Sequence, residues 1–462
     1  MKIRNINELI SAGNAESRRV VLNVLEKTLE RIDSYETLKG EVSLDGKLLR
    51  IGNRTWDLDK KRNVYIIGAG KAVNAMAGFF DELLGDILTD GIVIAKSIEE
   101  TDRFNKVRIY TGGHPLPNED GYIASLRIND MVEQMCGDDL VIGLMSGGCS
   151  SLMSCPIPGV TLNEEMRTRD VMLKSGANIL EVNAVARHIS AMNGGRLAQR
   201  IERKGAEIIC LLIMDAMGFG TTQSPLEPVY FGFTPLAPDA TTLEDARNAI
   251  INFNVGDKLP KSVMEFFRNA GDDDETPKSL DRWTGFIINT IPDMTRIAAE
   301  EARKLGLNAY VISDSLEGEG REVGTVLASI ARQLSGESPF LDVPAVLIAS
   351  GEIHAKITDA KGTGGPGQEL ALGFALAARD MPDVCIASID SEGTDGPTDA
   401  AGGLTCGQTF MLAEQRNVDI YKALREHSAC QALEKLNGKI ITGNTGTNLC
   451  DLHVLYVPGR ES

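Results

Sequence analysis

The chain reads as an α/β protein of two domains, each a mostly parallel sheet flanked by helices, with an interdomain cleft. Short apolar runs recur at 64–67, 107–110, 140–145, 208–213, 345–349, 384–389 and 439–441, as in strands buried on both faces. Each run gives way to a polar or Gly-rich loop, and in an open parallel sheet such loops share the side on which ligands bind. Finally, 462 residues exceed one ordinary hydrophobic core.

In chain order, residues 15–34 form an amphipathic helix, because Leu22, Leu25, Leu29 and Ile32 recur at helical spacing between charges. A strand at 64–67, a helix at 71–84 and a strand at 91–95 begin a β/α alternation that continues through Met214. The stretch Asn269–Leu280 is acidic, punctuated by Gly and Pro and free of apolar periodicity, as expected of an exposed connection. The boundary is therefore set at 275/276, giving domains 1–275 and 276–462. Beyond it the alternation resumes, with a strand at 286–289, a helix at 294–305, a strand at 308–312, a helix at 320–334 and a strand at 345–349.

Composition narrows the function. A formal charge of −18, with no basic helix or aromatic-basic stripe, argues against a nucleic-acid partner. No uncharged stretch of 18 residues occurs and the N-terminus lacks an apolar leader, so neither a membrane partner nor an exported destination is expected. The eight cysteines form no Cys-x-x-Cys and read as reduced thiols, in keeping with a cytoplasmic location. A homodimer is allowed.

An acidic protein that takes an anionic substrate must capture it with local groups, so basic residues beside Gly-rich loops matter most. Ser146-Gly147-Gly148-Cys149-Ser150-Ser151 follows a buried run and opens a helix, where free amides favour an anion. The Gly-x-Ser-x-Gly elbow of a nucleophilic Ser is absent, which leaves cradling of phosphate or carboxylate. Gly68-Ala69-Gly70-Lys71-Ala72 matches neither stock nucleotide motif. Val73 stands where a dinucleotide fingerprint has its third Gly, and the spacing and following residue of a Walker A loop are missing. Lys71 at a helix start is electrostatically misplaced unless a ligand supplies negative charge. Helical spacing puts Asn183 and Arg187 on one face beside Gly194-Gly195, while His188 reads as a packed imidazole. Carboxylates among glycines, Glu352 and Asp395 foremost, suit Mg²⁺, which keeps waters and shares substrate phosphates.

Taken together, these motifs resemble the ATP-dependent glycerate 2-kinases, whose C-terminal part is the MOFRL domain. The likeness runs through Gly68–Ala72, Gly113-His114-Pro115, Ser146-Gly147-Gly148, Lys174–Ala177, Glu181-Val182-Asn183, Pro238–Thr242, Gly351-Glu352, Gln368-Glu369-Leu370, Gly393–Gly402 and Thr445-Gly446-Thr447-Asn448 with Asp451. The resemblance implies an N-terminal Rossmann-like kinase domain and a C-terminal MOFRL domain. ATP, Mg²⁺ and a small hydroxy acid would meet between them, and the family's lysine maps onto Lys71. It departs at two arginines: the family's Arg-Lys pair reads Ala186-Arg187, and its Gly-Gly-Arg-Asn-Gln-Glu reads Gly364–Glu369 with Pro366 in the Arg position.

The expected activity is transfer of the ATP γ-phosphoryl group to a hydroxyl of D-glycerate, giving 2-phosphoglycerate, or of a related acid. Lys71, Arg187, Asp215 and Asp395 are the candidate catalytic residues. Gly70, His114, Ser146, Gly147, Gly148, Ser150, Ser151, Asn183, Gln368, Glu369, Thr447 and Asn448 are the candidates for binding substrate and phosphate, and Glu352 and Asp395 for Mg²⁺. The alternatives are an NAD(P)H-dependent hydroxypyruvate reductase, which the missing dinucleotide features disfavour, and a non-catalytic hydroxy-acid binder.

Overall fold

The computed structural model describes residues 1–232, 234–358 and 360–459. Two compact units emerge, and they are not separated by a single cut in the sequence: one comprises 38–213 and 223–288, the other 1–37, 214–222 and 289–462.

The first unit is built on a six-stranded sheet in the order Val107–Thr111, Asp90–Ala95, Val64–Gly70, Leu140–Met145, Glu207–Met214, Trp283–Thr290. Its first five strands are parallel neighbours. Every residue of Val64–Gly70 and of Leu140–Met145 is buried, which is why both read as unbroken apolar runs. From Val64–Gly70 the chain winds outward through the next two strands, then crosses to the other side through Leu140–Met145. That reversal creates a switch point at the carboxyl ends of the two central strands, the place where open α/β sheets bind ligands. A separate core of helices gathers Met172, Val182, Val185, Leu243, Ile250 and Phe267. The sequence reading missed a three-stranded antiparallel meander, Val42–Asp45, Leu48–Ile51 and Arg54–Asp57. Its signal was present in the two-residue turns Gly46-Lys47 and Gly52-Asn53, where both glycines take positive φ.

The second unit carries a mixed sheet in the order Asn308–Glu319, Ala345–His354, Asp451–Val457, Cys385–Asp390, Gly402–Cys406, Lys439–Ile440. Only its first pair is parallel; the remaining pairs are antiparallel. The reason is the last strand, Asp451–Val457, which returns between Ala345–His354 and Cys385–Asp390 and runs opposite to both.

The amphipathic helix materialises as Ala15–Ile32, with Leu22, Leu25, Leu29 and Ile32 buried. It packs on the Ile291–Lys304 helix and on the Cys385–Asp390 and Asp451–Val457 strands. A stripe of four large apolar side chains needs an apolar partner, and it finds one at the far end of the sequence, so residues 1–37 leave the unit that a cut at 275/276 would assign them. Asn269–Leu280, expected as an exposed linker, lies wholly within the first unit. It is pinned there by Glu275, whose carboxylate lies 2.8 Å from His188 Nε2 and accepts from the Leu243 amide at 2.8 Å, and by Thr276, which is buried. Among the described residues no helix is long and apolar enough to cross a membrane.

Candidate active site

At the switch point of the first unit two turns interlock. The Lys71 amide donates to Gly147 O at 3.0 Å, the Ser146 amide to Ala69 O at 3.2 Å, and the Ala72 amide to Ser146 Oγ at 3.0 Å. Gly70 has φ +146°, and a Cβ there would collide with Ser146 Oγ. Gly148 has φ +82°, and a Cβ on it would fall 2.8 Å from His114 Cδ2 and 3.5 Å from Lys71 Cγ. Lys71, His114, Ser146 and Gly148, far apart in sequence, therefore converge because glycines allow the backbones to touch. Gly70→Ala should cost about 1–3 kcal/mol of folding free energy from backbone strain alone, read by urea unfolding. A wild-type midpoint would mean that the two turns are not locked together.

Two groups of this loop act as scaffold, the Ser151 hydroxyl and the Ser150 carbonyl. Ser151 Oγ lies 2.9 Å from the carbonyls of both Gly113 and Pro115, so it fastens the His114 loop and is not presented to a ligand. The carbonyl of Ser150 accepts from Arg169 Nη2 at 2.9 Å and Asn193 Nδ2 at 3.0 Å. Neither Arg169 nor Asn193 is visible from the sequence, because each acts on a backbone atom and carries no motif.

Arg187 is 2 % exposed and donates from Nη1 to Asp239 Oδ1 at 3.0 Å. The same carboxylate accepts from Thr241, through its amide at 3.0 Å and its hydroxyl at 2.9 Å, and from Thr276 Oγ1 at 3.1 Å. The candidate catalytic arginine is thus a member of an internal ion-pair network, whereas Asn183 on the same helix, Ile179–His188, stays partly exposed. His188 is packed as expected, with Nδ1 2.7 Å from Ala184 O and Nε2 on Glu275.

In the second unit the carboxylates sort into two kinds. Asp395 is a helix cap: its Oδ2 accepts the Gln368 amide at 2.8 Å and its Oδ1 the Gly367 amide at 3.3 Å, at the start of the Pro366–Ala377 helix. Burial pushes its carboxyl up to about 6 against those hydrogen bonds. Glu369 is buried and bonded to His427 Nδ1 at 2.7 Å, and Gln368 Nε2 ties back to Asp395 O at 3.1 Å and to Thr398 Oγ1 at 3.0 Å. These three nominated residues face the interior. Both carboxylates read as ligands because the sequence shows a charge among glycines and hides what already holds it.

The other kind gathers around Cys450, whose thiol is pushed far up by burial and by Asp215, Glu352, Asp451 and Asp390. Asn448 Nδ2 donates to Asp215 Oδ2 at 3.0 Å. Asp390 and Asp451 face each other across neighbouring strands, while Asp451 Oδ2 accepts the Ile353 amide at 2.9 Å. Burial first, and Asp390 second, push the Asp451 carboxyl well above the usual range. Glu352 stands exposed beside them, and Thr447 is buried. Among the described residues no group of three or more His, Cys, Asp or Glu side chains is arranged to hold a metal ion. The chemistry of the opposed pair nevertheless fits Mg²⁺, which takes one or two carboxylates, keeps waters and completes its shell with substrate phosphates.

On the same sheet His453 is fully buried, with Nδ1 2.8 Å from Ser388 Oγ. Burial lowers its imidazole to about 4 from the ordinary 6.5. The unfolded chain therefore binds a proton at a pH where the fold refuses it, so the stability this residue contributes is complete above pH 6.5 and is lost as pH falls towards about 4. Over that window the loss amounts to about 3 kcal/mol. Unfolding free energies for wild type and His453→Gln should converge towards pH 4 by that amount; parallel pH profiles would remove His453 from the acid response.

Comparison with known proteins agrees with this architecture. Residues 20–268 match a family described as a domain of unknown function, DUF4147, and residues 345–451 match the MOFRL family. A glycerate 2-kinase of Pyrococcus horikoshii is 31% identical over 447 residues, covering 96% of this chain and 98% of the relative. A D-glycerate 2-kinase of Thermotoga maritima is 34% identical over 393 residues, covering 84% of this chain and 89% of the relative. The crystal structure of glycerate kinase from Thermotoga maritima superposes with a TM-score of 0.77 at 31% identity, over 95% of this chain and 99% of that one. With both family regions in sequence and the fold matched over nearly its whole length, the chain belongs to the glycerate 2-kinase family.

Proposed function

We propose that the protein is an ATP-dependent glycerate 2-kinase that transfers the γ-phosphoryl group to a hydroxyl of D-glycerate, giving 2-phosphoglycerate. The observation that carries this reading is the convergence of Lys71, His114, Ser146 and Gly148 at the sheet's switch point, joined to relatives named as glycerate kinases.

Phosphoryl transfer asks mainly for positioning and for neutralisation of spreading negative charge. The helix that follows Lys71, Val73–Leu84, has no acidic residue in its first turn, and its N-cap residue, Ala72, has no side chain with which to cap it. Its positive end therefore adds to the lysine's charge and does not cancel it. Lys71 stabilises the transferred group, while the Gly147-Gly148 turn approaches phosphate or the acid's carboxylate without side-chain obstruction. Mg²⁺, held by Asp390 and Asp451 with Glu352 beside them, would neutralise phosphate charge. Asp215, oriented by Asn448, is the carboxylate assigned to the acceptor hydroxyl. Arg187 acts at one remove, by holding the Ile179–His188 helix through Asp239.

The test is a panel of D-glycerate, tartronate, erythronate and threonate with ATP and Mg²⁺, followed by ADP release. Acceptor-dependent ADP, largest with D-glycerate and accompanied by 2-phosphoglycerate, is the expected result. NADH oxidation by hydroxypyruvate, or ligand-induced thermal stabilisation with no turnover, would replace this reading with the reductase or the binder.

A further inference from the structure

Away from these residues, the second unit buries an arginine that, among the described residues, forms no ion pair with a carboxylate. Arg18, on the Ala15–Ile32 helix, is 0 % exposed. Its Nη1 donates to Leu9 O and Asn437 O, both at 2.7 Å, but among the described residues its Nε and Nη2 meet no hydrogen-bond acceptor. A buried guanidinium without a counter-ion is costly to a fold.

What lies against it is sulfur. A Cβ built on Gly13 would fall 2.5 Å from Cys406 Sγ and 3.2 Å from Arg18 Nε, so the two groups share the space left by that residue's missing side chain. The sulfur receives the Asn14 amide at 3.5 Å and Thr409 Oγ1 at 3.7 Å. Burial pushes the Cys406 thiol up, but Arg18, the Asn14 amide and Thr409 outweigh it and hold it below its ordinary range. Two hydrogen-bond donors and a fixed cation describe a seat for a thiolate.

Directly across the sheet stands a second thiol. Cys385 and Cys406 are register partners on antiparallel strands. The Gly407 amide bonds to Val384 O in the adjoining pair, so the two cysteines occupy a non-hydrogen-bonded position. There Cα atoms lie about 4.5 Å apart with side chains on one face, within the range that a disulfide bridges. Burial and the neighbouring Cys406 raise Cys385 well above its usual value, so it stays protonated. Both are free cysteines, and over the sulfur of Cys406 lies the half-buried turn Gly13-Asn14.

We propose that Cys406 is a site of oxidation by hydroperoxides, with Arg18 as the counter-ion of its sulfur and Cys385 as the resolving thiol. The Cys406 sulfur attacks one peroxide oxygen, forming an S–O bond as the O–O bond breaks and hydroxide leaves. The Cys385 sulfur then attacks the Cys406 sulfur and expels the hydroxyl, which departs as water with the Cys385 proton. The Cys406 thiolate and the Cys385 thiol together give up two electrons, and hydrogen peroxide is reduced to one hydroxide and one water.

The test treats the full-length protein with hydrogen peroxide, quenches, alkylates under denaturing conditions and analyses peptides by mass spectrometry. Wild type should yield a bridged Cys385–Cys406 peptide. Cys385→Ser should yield a Cys406 sulfenic acid trapped by dimedone, and Cys406→Ser neither product. Buried Cys210 is the internal control, and Cys406 should react at least tenfold faster. Ultraviolet titration on the unmodified protein adds a readout that does not depend on replacing Arg18: a thiolate step below the ordinary thiol range, lost in Cys406→Ser. Absence of that step, equal rates at Cys406 and Cys210, or peroxide that leaves Cys385 unbridged each overturns the proposal.

Discussion

Replacing Lys71 by Ala should depress kcat by about 10²–10³, the cost of removing one preorganised charge from a transition state. The fold should not notice. The link between the two turns runs through backbone, with the Lys71 amide on Gly147 O, and an Ala amide makes the same bond. A cation at a helix N-terminus is also mildly unfavourable, so its removal should leave the urea midpoint unchanged or slightly raised. Lys71→Arg should recover little, because a planar fork does not occupy the place of a compact ammonium. Steady-state ADP release alongside denaturant unfolding checks both halves. Near-normal turnover in the Ala variant would remove Lys71 from the chemistry and with it the reading of the switch point.

Arg187→Met should do the reverse, costing about 3–5 kcal/mol of stability because it strands a buried carboxylate. Asp239 is 0 % exposed on its side chain, and Arg187 3%. The second change Asp239→Asn should restore most of the loss, since an uncharged amide can still accept from Thr241 through its oxygen and donate to Thr276 Oγ1 through its nitrogen. A residue that gripped the acid substrate would behave otherwise: its loss would raise the KM for the acceptor at constant stability, and Asp239→Asn would rescue nothing. Urea unfolding of the single and double variants, with acceptor KM measured on whatever folds, separates the two roles.

The same contrast runs through the molecule. The parallel strands of the first unit were legible because a strand covered on both faces must be apolar at every position, as Val64–Gly70 is. The Lys71 and Ser146–Ser151 turns were legible because only glycines permit such close backbone approach. The carboxylates were legible as a class and not as individuals. Asp395 and Glu369 look no different in sequence from Asp390 and Asp451, yet the first two are tied to helix amides and a histidine while the latter two face one another across strands.

Local composition and period thus fixed the secondary elements, the switch-point glycines and the lysine between them, because those follow from each residue's immediate neighbours and from the need to bury apolar surface. Which distant partner each polar group meets was left to the tertiary structure. The N-terminal helix closes over the last strand, Arg18 lies against Cys406, and Arg187 meets Asp239. Such pairings depend on how sheets and helices are stacked, and a desolvated charge takes its role from the group placed against it.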